Sequence, residues 1–209
     1  MPHTVVCIDP GHPSETSKGA SANGLSELHL NWVIANDVVE ALKKDNIKCV
    51  LTKDTEDKFV TNRQRAEIAN EAHAVLLLRL HCDIGGKSGV TLFYPNCFIE
   101  KEGVTGPPVA VQQSSRLAAI KIAAVLKQSL GSDLPVNTVK TDEDTYIGHK
   151  QGGDLTASVF SLVPTVLVEM CVLTNKKDDL FISSSVGQNL IDSYGSAVIL
   201  IMLLEMIKI

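Results

Sequence analysis

The sequence predicts an α/β protein, a single three-layer α/β/α domain with a mostly parallel twisted sheet flanked by helices. Short β-branched apolar runs alternate along the chain with longer segments in which apolar residues recur at helical spacing. This alternation is typical of parallel strands, because parallel neighbours need crossover connections. No internal repeat or low-complexity linker interrupts the 209 residues, so we expect one domain over residues 1–209.

The chain begins with a predicted strand, helix and strand. Residues 4–8 form a short apolar run that the sequence DPG ends, as expected for a buried strand followed by a sharp turn. Over residues 28–44 the apolar residues recur at helical spacing, and two lysines close the segment, which is favourable at a helix C-terminus. Residues 47–51 form a second apolar run and predict a second strand.

The middle of the chain repeats this order. Thr61 and Gln64 have the spacing of a capping box and predict the start of a second helix. Residues 74–80 are almost continuously apolar, as expected for a strand that is covered on both faces. A strand over residues 89–94 and an amphipathic helix over residues 115–130 follow, and the exposed loop between them is placed to border a cleft.

The last part of the chain contains a third predicted strand that a polar residue follows. The remaining predicted elements are a polar, glycine-rich segment over residues 142–154, a strand over residues 165–168 that Glu169 ends, and a helix over residues 186–207. In open α/β sheets the ligand site lies outside the carboxyl ends of the strands. His12, His81 and Glu169 all follow predicted strands, so we expect them to converge on one site.

Composition excludes two classes of protein. The net charge of −5 comes from scattered charges, and no basic run could track a phosphate backbone, so we expect no nucleic-acid partner. The apolar run at residues 197–204 is shorter than the ~20 residues of a spanning helix, so no transmembrane segment is predicted. The chain also begins without the charged and apolar pattern of a secretory signal.

The cysteines do not indicate a disulfide framework or a cysteine metal site. They are odd in number and form no CxxC pair. We interpret them as small apolar residues, four of which sit in apolar runs. They are Cys7, Cys49, Cys82, Cys97 and Cys171.

His12, Glu27 and His81 are the residue types of a catalytic zinc site. Zinc in such sites takes three nitrogen or oxygen ligands and keeps one position for water. Two neutral imidazoles and one carboxylate would leave the ion positive and able to activate water. Glu169 is the candidate general base, because apolar neighbours raise the pKa of a carboxyl group toward the useful range.

Each candidate also has a structural interpretation. A histidine beside a turn can be a hydrogen-bonded surface residue, Glu27 can favour a helix N-terminus by its charge, and Glu169 can be a surface carboxylate. His149 lies in the polar segment, where it is either solvated or carried over a cleft by a mobile loop. The other histidines, interpreted as structural or solvated, are His3, His29 and His73.

Five motifs, in order along nearly the whole chain, resemble one family closely. They are IDPGH at 8–12, Glu27 with Asn31, LTKDTEDKFVTNRQRAEIAN at 51–70, LRLHCD at 78–83 and VPTVLVEMCVLTN at 163–175. The family is the zinc-dependent N-acetylmuramoyl-L-alanine amidases of the type 3 catalytic class. Any one of these motifs is weakly specific, whereas the ordered series is specific.

The resemblance implies a function and a site. It implies Zn²⁺ held by His12, Glu27 and His81, with Glu169 as the catalytic carboxylate. The implied substrate is the amide between N-acetylmuramic acid and L-alanine in bacterial peptidoglycan. The resemblance also implies action in the cell envelope, periplasmic or extracellular, whereas a chain without a signal peptide could also act in the cytoplasm. We expect a monomer. It leaves open whether a protein partner activates the enzyme.

The sequence departs from the family pattern near the site. Pro13 follows His12 where glycine is common, and Cys171-Val172 stands where Gly-Phe is usual. Arg79 occupies a position that is usually serine. An inward Arg79 would pair with a carboxylate and orient the site or the substrate, whereas an outward Arg79 would be paired elsewhere, and we favour a structural role. Arg65 matches a family arginine and is expected to anchor its helix or the cleft rim.

Two other functions fit the same residues. A family member repurposed as a non-catalytic regulator or wall-binding module would be expected to have lost metal binding. A zinc peptidase acting on another amide would keep the chemistry and change the substrate. Metal content separates the first from an amidase, and a panel of muropeptides and ordinary peptides separates the second.

Overall fold

A computed structural model describes residues 4–182 of the chain. Its strands are β1 (Val5–Pro10), β2 (Ser21–Ala22), β3 (Leu25–Ser26), β4 (Lys48–Leu51), β5 (Leu76–Asp83), β6 (Thr91–Tyr94), β7 (Ile99–Lys101), β8 (Val104–Gly106), β9 (Lys140–Thr141) and β10 (Thr165–Val172). Its helices are α1 (Glu27–Lys44), α2 (Asn62–Glu71), α3 (Val109–Leu130), α4 (Tyr146–Lys150), α5 (Thr156–Val159) and α6 (Lys176–Ile182), with a 3₁₀ turn at Asp142–Asp144.

The main sheet has six strands in the order β4-β1-β5-β10-β6-β9. The first four run parallel to one another, β6 is antiparallel to β10, and β9 is parallel to β6. The predicted mostly parallel sheet is therefore confirmed. The parallel strands β1, β5 and β10 are adjacent, so their carboxyl ends lie side by side at one edge of the sheet.

Helices cover both faces of the sheet, which confirms the predicted three layers. The larger core joins α1 and α3 to alternate strand residues such as Ile8, Leu78 and Val168. On the other face, α2 packs against β1 and β5 through residues such as Cys7 and Leu77. Because side chains alternate along a strand, the residues that share the α2 face with Leu77 are the odd-numbered ones of β5.

The helix ends that the sequence predicts from neighbouring residues are present in the structure. Thr61 and Gln64 form the predicted capping box, each bonding to the backbone of the other. Ser26 caps α1, whose last turn carries Lys43 and Lys44. Three cysteines, Cys7, Cys82 and Cys171, are buried and all five are free, in line with their interpretation as apolar residues.

Three predicted elements are corrected by the structure. Glu169 does not end its strand, because β10 continues to Val172 with an irregular register after Glu169. The predicted loop before residue 115 contains the β7–β8 hairpin and the first six residues of α3. The segment 142–154 contains α4, and the predicted helix over residues 186–207 lies outside the described residues.

No helix within residues 4–182 combines the length and the apolarity that crossing a bilayer requires.

Candidate metal centre

The carboxyl ends of two strands and the start of one helix bring three ligand-type side chains together. His12 lies two residues beyond β1, Glu27 is the first residue of α1, and His81 lies near the end of β5. Glu27 Oε1 is 3.0 Å from His12 Nε2 and 3.1 Å from His81 Nδ1. The imidazole rings of the two histidines meet edge to face, with their centroids 4.9 Å apart. The structure thus brings together the three residues that the sequence predicts as ligands.

Backbone groups fix the orientation of this cluster. His12 Nδ1 lies 3.2 Å from the carbonyl oxygen of Ser17, so a proton on Nδ1 would leave the Nε2 lone pair facing Glu27. Glu27 Oε2 accepts a hydrogen bond from the backbone N–H of Ala20 at 2.8 Å, and Oε1 accepts one from Cys82 at 3.2 Å. Hydrogen bonds of this kind hold metal ligands in place before the ion arrives.

Charge and burial set the protonation states that a metal needs. Burial lowers the pKa of His81 to about 4, so its imidazole is neutral near pH 7. Burial alone would raise the pKa of Glu27, but hydrogen bonds from His12 and His81 outweigh it and hold the pKa below its usual value. Neutral imidazoles and an ionised carboxylate are the forms in which these side chains bind metal.

The cluster has the dimensions of a metal site. One ligand atom from each of His12, Glu27 and His81 lies within 4.8 Å of the others. Ligands at about 2.0–2.1 Å from a tetrahedral ion are separated by roughly 3.3 Å, close to the observed 3.0 and 3.1 Å. The buried Nε2 of His81 has no hydrogen-bond partner among the described residues. These residues could therefore hold a divalent metal ion.

The turn after β1 requires a glycine at position 11, because the ring of His81 lies against it. A Cβ built on Gly11 would lie 2.3 Å from Cε1 and 2.5 Å from Nε2 of His81. The backbone of Gly11 is fixed by its N–H bond to Leu80 and by Asn31, whose Nδ2 donates to the Gly11 carbonyl at 3.3 Å. The His81 ring therefore occupies the space that any side chain at this position would need.

Glu169 stands beside this cluster on the neighbouring strand. In the register of β5 and β10 it pairs with His81, and it lines the same cleft. Its Oε2 is buried without a hydrogen-bond partner among the described residues. Burial, together with the negative charges of Glu27 and Asp83, raises the pKa of Glu169 well above its usual value. A carboxyl group in this state is suited to holding and releasing a proton.

A buried ion cluster supports the floor of the site from the α2 face. Asp9 Oδ2 accepts a hydrogen bond from Arg79 Nε at 3.0 Å, and Asp9 Oδ1 accepts one from Arg65 Nη1 and one from Thr52. Arg79 also donates from Nη2 to Asn62 Oδ1 at 2.8 Å. Arg79 therefore points inward and pairs with a carboxylate, and the outward alternative is wrong. Arg65 anchors α2 to the loop that carries His12, as expected.

The loop that carries His12 is held by Arg65 and by Lys53, a residue that the sequence did not single out. His12 has a positive φ of 62°, a left-handed backbone conformation that is uncommon for residues other than glycine. The buried Lys53 donates from Nζ to the carbonyl oxygen of His12 and to that of Glu56. Arg65 Nη2 donates to the carbonyl oxygen of Pro13 at 3.0 Å. Two cations thus fix the backbone on both sides of the peptide bond between His12 and Pro13.

Replacing Asp9 by asparagine is expected to lower the free energy of unfolding by about 3–5 kcal/mol, because it leaves two buried guanidinium groups without their carboxylate. Burial would raise the pKa of Asp9, but Arg65 and Arg79 outweigh it and hold the pKa below its ordinary value. The carboxylate therefore stabilises the fold above the unfolded pKa of about 3.9, and this contribution is lost as the pH falls further.

Urea unfolding of the wild type and Asp9→Asn between pH 7 and pH 3 measures this effect. The difference between the two proteins should be constant down to about pH 5 and shrink below about pH 4. The exposed Asp133 offers a control, Asp133→Asn, that should change stability by less than about 0.5 kcal/mol. A difference for Asp9→Asn that does not shrink in acid would contradict the account.

The site opens into a cleft of about 630 Å³, a size typical of ligand sites. His12, Glu27, His81 and Glu169 all line it, together with Arg79. The rim on the side of the 3₁₀ turn includes Tyr146 and Ile147, which are 78% and 40% exposed. His149 is exposed on α4 and is not among the lining residues, which favours the solvated interpretation.

Comparison with known proteins identifies a family whose model matches most of the chain. The family model of Amidase_3, described as N-acetylmuramoyl-L-alanine amidase, matches residues 6–199 of the chain. The chain is 28% identical over 175 residues to the protein YqiI of Bacillus subtilis, which bears the label uncharacterized. That match covers 83% of this chain and 72% of YqiI.

Solved structures share the fold. Apo Ami1 of Mycobacterium abscessus, an N-acetylmuramyl-L-alanine amidase, matches with a TM-score of 0.78 at 19% identity, covering 95% of this chain and 98% of Ami1. CwlD amidase of Clostridioides difficile, solved in complex with the GerS lipoprotein, matches with a TM-score of 0.71 at 19% identity, covering 96% of this chain and 99% of CwlD. At these identities the likeness establishes the fold alone.

Proposed function

Because the chain belongs to the Amidase_3 family of N-acetylmuramoyl-L-alanine amidases, we propose that it hydrolyses the amide between N-acetylmuramic acid and L-alanine in bacterial peptidoglycan, with Zn²⁺ as cofactor. The observation that carries the proposal is the His12, Glu27 and His81 cluster in an open cleft with Glu169 beside it. The family match supports the choice of substrate, and the side chains of the cluster support hydrolysis with a bound metal ion. A binding module would need the cleft but not this set of side chains.

In the proposed site His12, Glu27 and His81 hold the ion. The donor set of two imidazoles and one carboxylate is one that catalytic zinc uses, with a position left for water. A bound zinc ion would polarise the scissile carbonyl and make a water molecule acidic enough to attack near pH 7. The backbone bonds to His12 and Glu27 keep these ligands oriented, so little reorganisation is needed when the metal binds.

Glu169 is proposed as the general base and acid. Its buried Oε2, free of hydrogen bonds to the described residues, can take the proton of the attacking water and return it to the amine of L-alanine. Val168 and Met170 on either side of Glu169 are fully buried in the core, so the strand backbone that carries Glu169 is fixed. Asp83 at the end of β5 turns its own carboxylate to the backbone N–H groups of Ile84 and Gly85 and so is less suited to this role.

Release of peptide from purified peptidoglycan tests the proposal. The protein should liberate stem peptides with a new N-terminal L-alanine and leave a free lactyl carboxylate on muramic acid. Ordinary peptides should not be cut under the same conditions. Cleavage of ordinary peptides at a comparable rate would instead identify a peptidase. Retained zinc without cleavage of either substrate would favour an enzyme that needs activation or acts on another amide, and absence of zinc would favour a regulator or binding module.

Gly11→Ala is expected to weaken zinc binding by at least 10-fold while the protein stays folded. The added methyl would overlap the His81 ring, so the ring must leave its place beside Glu27, and displaced ligands cost affinity. Competition with a chelator of known affinity measures the change. Gly85→Ala is the matched control, because a Cβ at Gly85 meets nothing within 4 Å. Equal affinities in the two variants would contradict the proposed role of His81.

The place and the partners of the reaction are part of the proposal. A family that acts on the cell wall supports action in the cell envelope, periplasmic or extracellular. Whether a protein partner activates the chain stays a prediction, for which the complex of CwlD with the GerS lipoprotein is the supporting parallel. The predicted monomer stays a prediction as well.

A further inference from the structure

Arg79 presents an unused hydrogen-bonding edge to the cleft. Its side chain is only 4% exposed, yet Arg79 is one of the residues that line the cleft. Nε donates to Asp9 at 3.0 Å and Nη2 donates to Asn62 at 2.8 Å. Nη1 donates to none of residues 4–182 and is not among the polar atoms that the fold seals from solvent. Because the guanidinium is planar and two of its nitrogens are anchored, the direction of the third is fixed.

Among the described residues, the one carboxylate that accepts a hydrogen bond from Arg79 is shared with a second cation. Asp9 is shared by two buried guanidinium groups, those of Arg65 and Arg79. Arg65 uses all of its nitrogens, since Nε donates to Val60, Nη1 to Asp9 and Pro10, and Nη2 to Pro13. Arg79 alone of the pair has a nitrogen, Nη1, that donates to none of the described residues. A fixed guanidinium with a free edge is suited to binding a carboxylate.

The nearby acidic groups leave this edge free. Glu169 lines the same cleft as Arg79, and Asp142 is buried. Neither carboxyl accepts a hydrogen bond from Arg79. The unpaired edge is therefore available to a ligand that enters the cleft.

The position of Arg79 relative to the metal ligands fits a peptide. Arg79 and His81 point to the same face of β5, one two-residue repeat apart, which is about 7 Å along the strand. An extended peptide advances about 3.3–3.6 Å per residue. The spacing of Arg79 and His81 along β5 therefore matches about two residue steps of an extended peptide whose scissile carbonyl lies at the cluster.

We propose that Arg79 binds a free carboxylate of the stem peptide, on the residue that follows L-alanine, and so selects substrates in which this carboxylate is not amidated. The inference rests on the proposed amidase function and deepens it. Arg79 contacts the substrate at a distance from the reacting atoms, so it acts on binding and alignment. Its effect should appear mainly in KM.

Two muropeptides test the proposal, identical except that the second stem residue carries either a free carboxylate or a primary amide. The zinc-loaded wild type should cleave the acid with a kcat/KM about 10- to 100-fold higher than the amide, the range of one charge-assisted hydrogen bond. Arg79→Gln should bring this ratio close to one by raising KM for the acid alone. Arg79→Lys keeps the charge without the planar fork and should retain part of the preference.

Arg65→Gln is the matched control. It removes the other cation that pairs with Asp9, but Arg65 is not among the residues that line the cleft. It should lower stability as Arg79→Gln does and leave the acid-to-amide ratio unchanged. A ratio that falls equally in both variants would mean that Arg79 acts only through the buried cluster, and the proposal would be overturned. If Arg79→Gln does not fold, Arg79→Lys provides the test. An acid-to-amide ratio between one and the wild-type value supports the proposal, and an unchanged ratio overturns it.

The outcomes separate this inference from the proposed function. Equal cleavage of acid and amide by the wild type overturns the role of Arg79 and leaves the amidase function standing. Release of peptide from whole peptidoglycan with neither muropeptide cleaved has the same meaning, because the acid muropeptide already carries the complete proposed contact. Absence of cleavage in all three substrates removes the proposed function and the inference with it.

Discussion

Glu169→Gln is expected to lower kcat by about 10²- to 10⁴-fold while zinc stays bound, because the change removes the group proposed to move the proton and spares the three ligands. Glutamine keeps the shape and volume of the side chain between the buried neighbours Val168 and Met170. The fold and the cleft should therefore persist. Single-turnover release of stem peptide, together with zinc content of the same sample, measures both parts of the prediction.

A matched variant distinguishes proton transfer by Glu169 from a general effect of a negative charge near the metal ligands. Asp83 lies two residues beyond His81 and also lines the cleft, but its carboxylate caps the turn formed by Ile84 and Gly85. Asp83→Asn should therefore cost much less activity than Glu169→Gln. If purified Glu169→Gln turned over peptidoglycan at the wild-type rate, the assignment of the base would be wrong.

His81→Ala is expected to lose both zinc and activity, and His12→Ala to do the same. Loss of a residue that only orients a ligand costs about 10- to 100-fold in metal affinity, so loss of a ligand should cost more than ~100-fold. Both imidazoles lie within hydrogen-bonding distance of the same oxygen, Glu27 Oε1, so removing either one breaks the triangle. Metal analysis after dialysis measures the loss, and urea unfolding of the metal-free proteins shows whether the fold persists.

His29 provides the control for these variants. Its side chain is 62% exposed, and it pairs with Glu56 outside the cluster. His29→Ala should bind zinc and release peptide as the wild type does. Zinc bound at full stoichiometry by His81→Ala would show that the cluster is not the metal site, and the proposed mechanism would lose its basis.

The order of the strands along the chain and the edge of the sheet at which their polar residues meet could be predicted from the sequence because their signals are local, although β1, β5 and β10 each continue beyond the predicted end. Each apolar run was followed by a turn or a polar residue, and parallel strands place such ends at one edge of the sheet. His12, Glu27 and His81 consequently meet where the sequence predicted a site. The capping box at Thr61 is local in the same way and is present in the structure.

The ion cluster beneath the site could not be predicted, because its partners are far apart in the chain. Asp9 pairs with Arg65 and Arg79 across 56 and 70 residues of sequence. The spacing of apolar residues along the chain contains no information about ion pairs between residues so far apart. The one available signal was Arg79, a charged residue inside an apolar strand, which requires a buried partner but does not indicate which one.

Two errors of secondary structure have specific causes. The β7–β8 hairpin turns at Glu102 and Gly103, both with positive φ, and glutamate at that position does not signal a tight turn as asparagine or aspartate would. The end of β10 was misplaced because Glu169 interrupts an apolar run. Its side chain faces the cleft while the buried residues on either side of it, Val168 and Met170, continue the core of the sheet.

One measurement tests the central claim most directly: zinc content and release of stem peptide from purified peptidoglycan, determined on the same protein sample with and without a chelator. The account predicts about one zinc per chain, peptide release that the chelator abolishes, and recovery on adding Zn²⁺ back. Peptide release that persists in metal-free protein would contradict the proposed chemistry. Protein that binds no zinc and releases no peptide would contradict the enzyme assignment and favour a binding role.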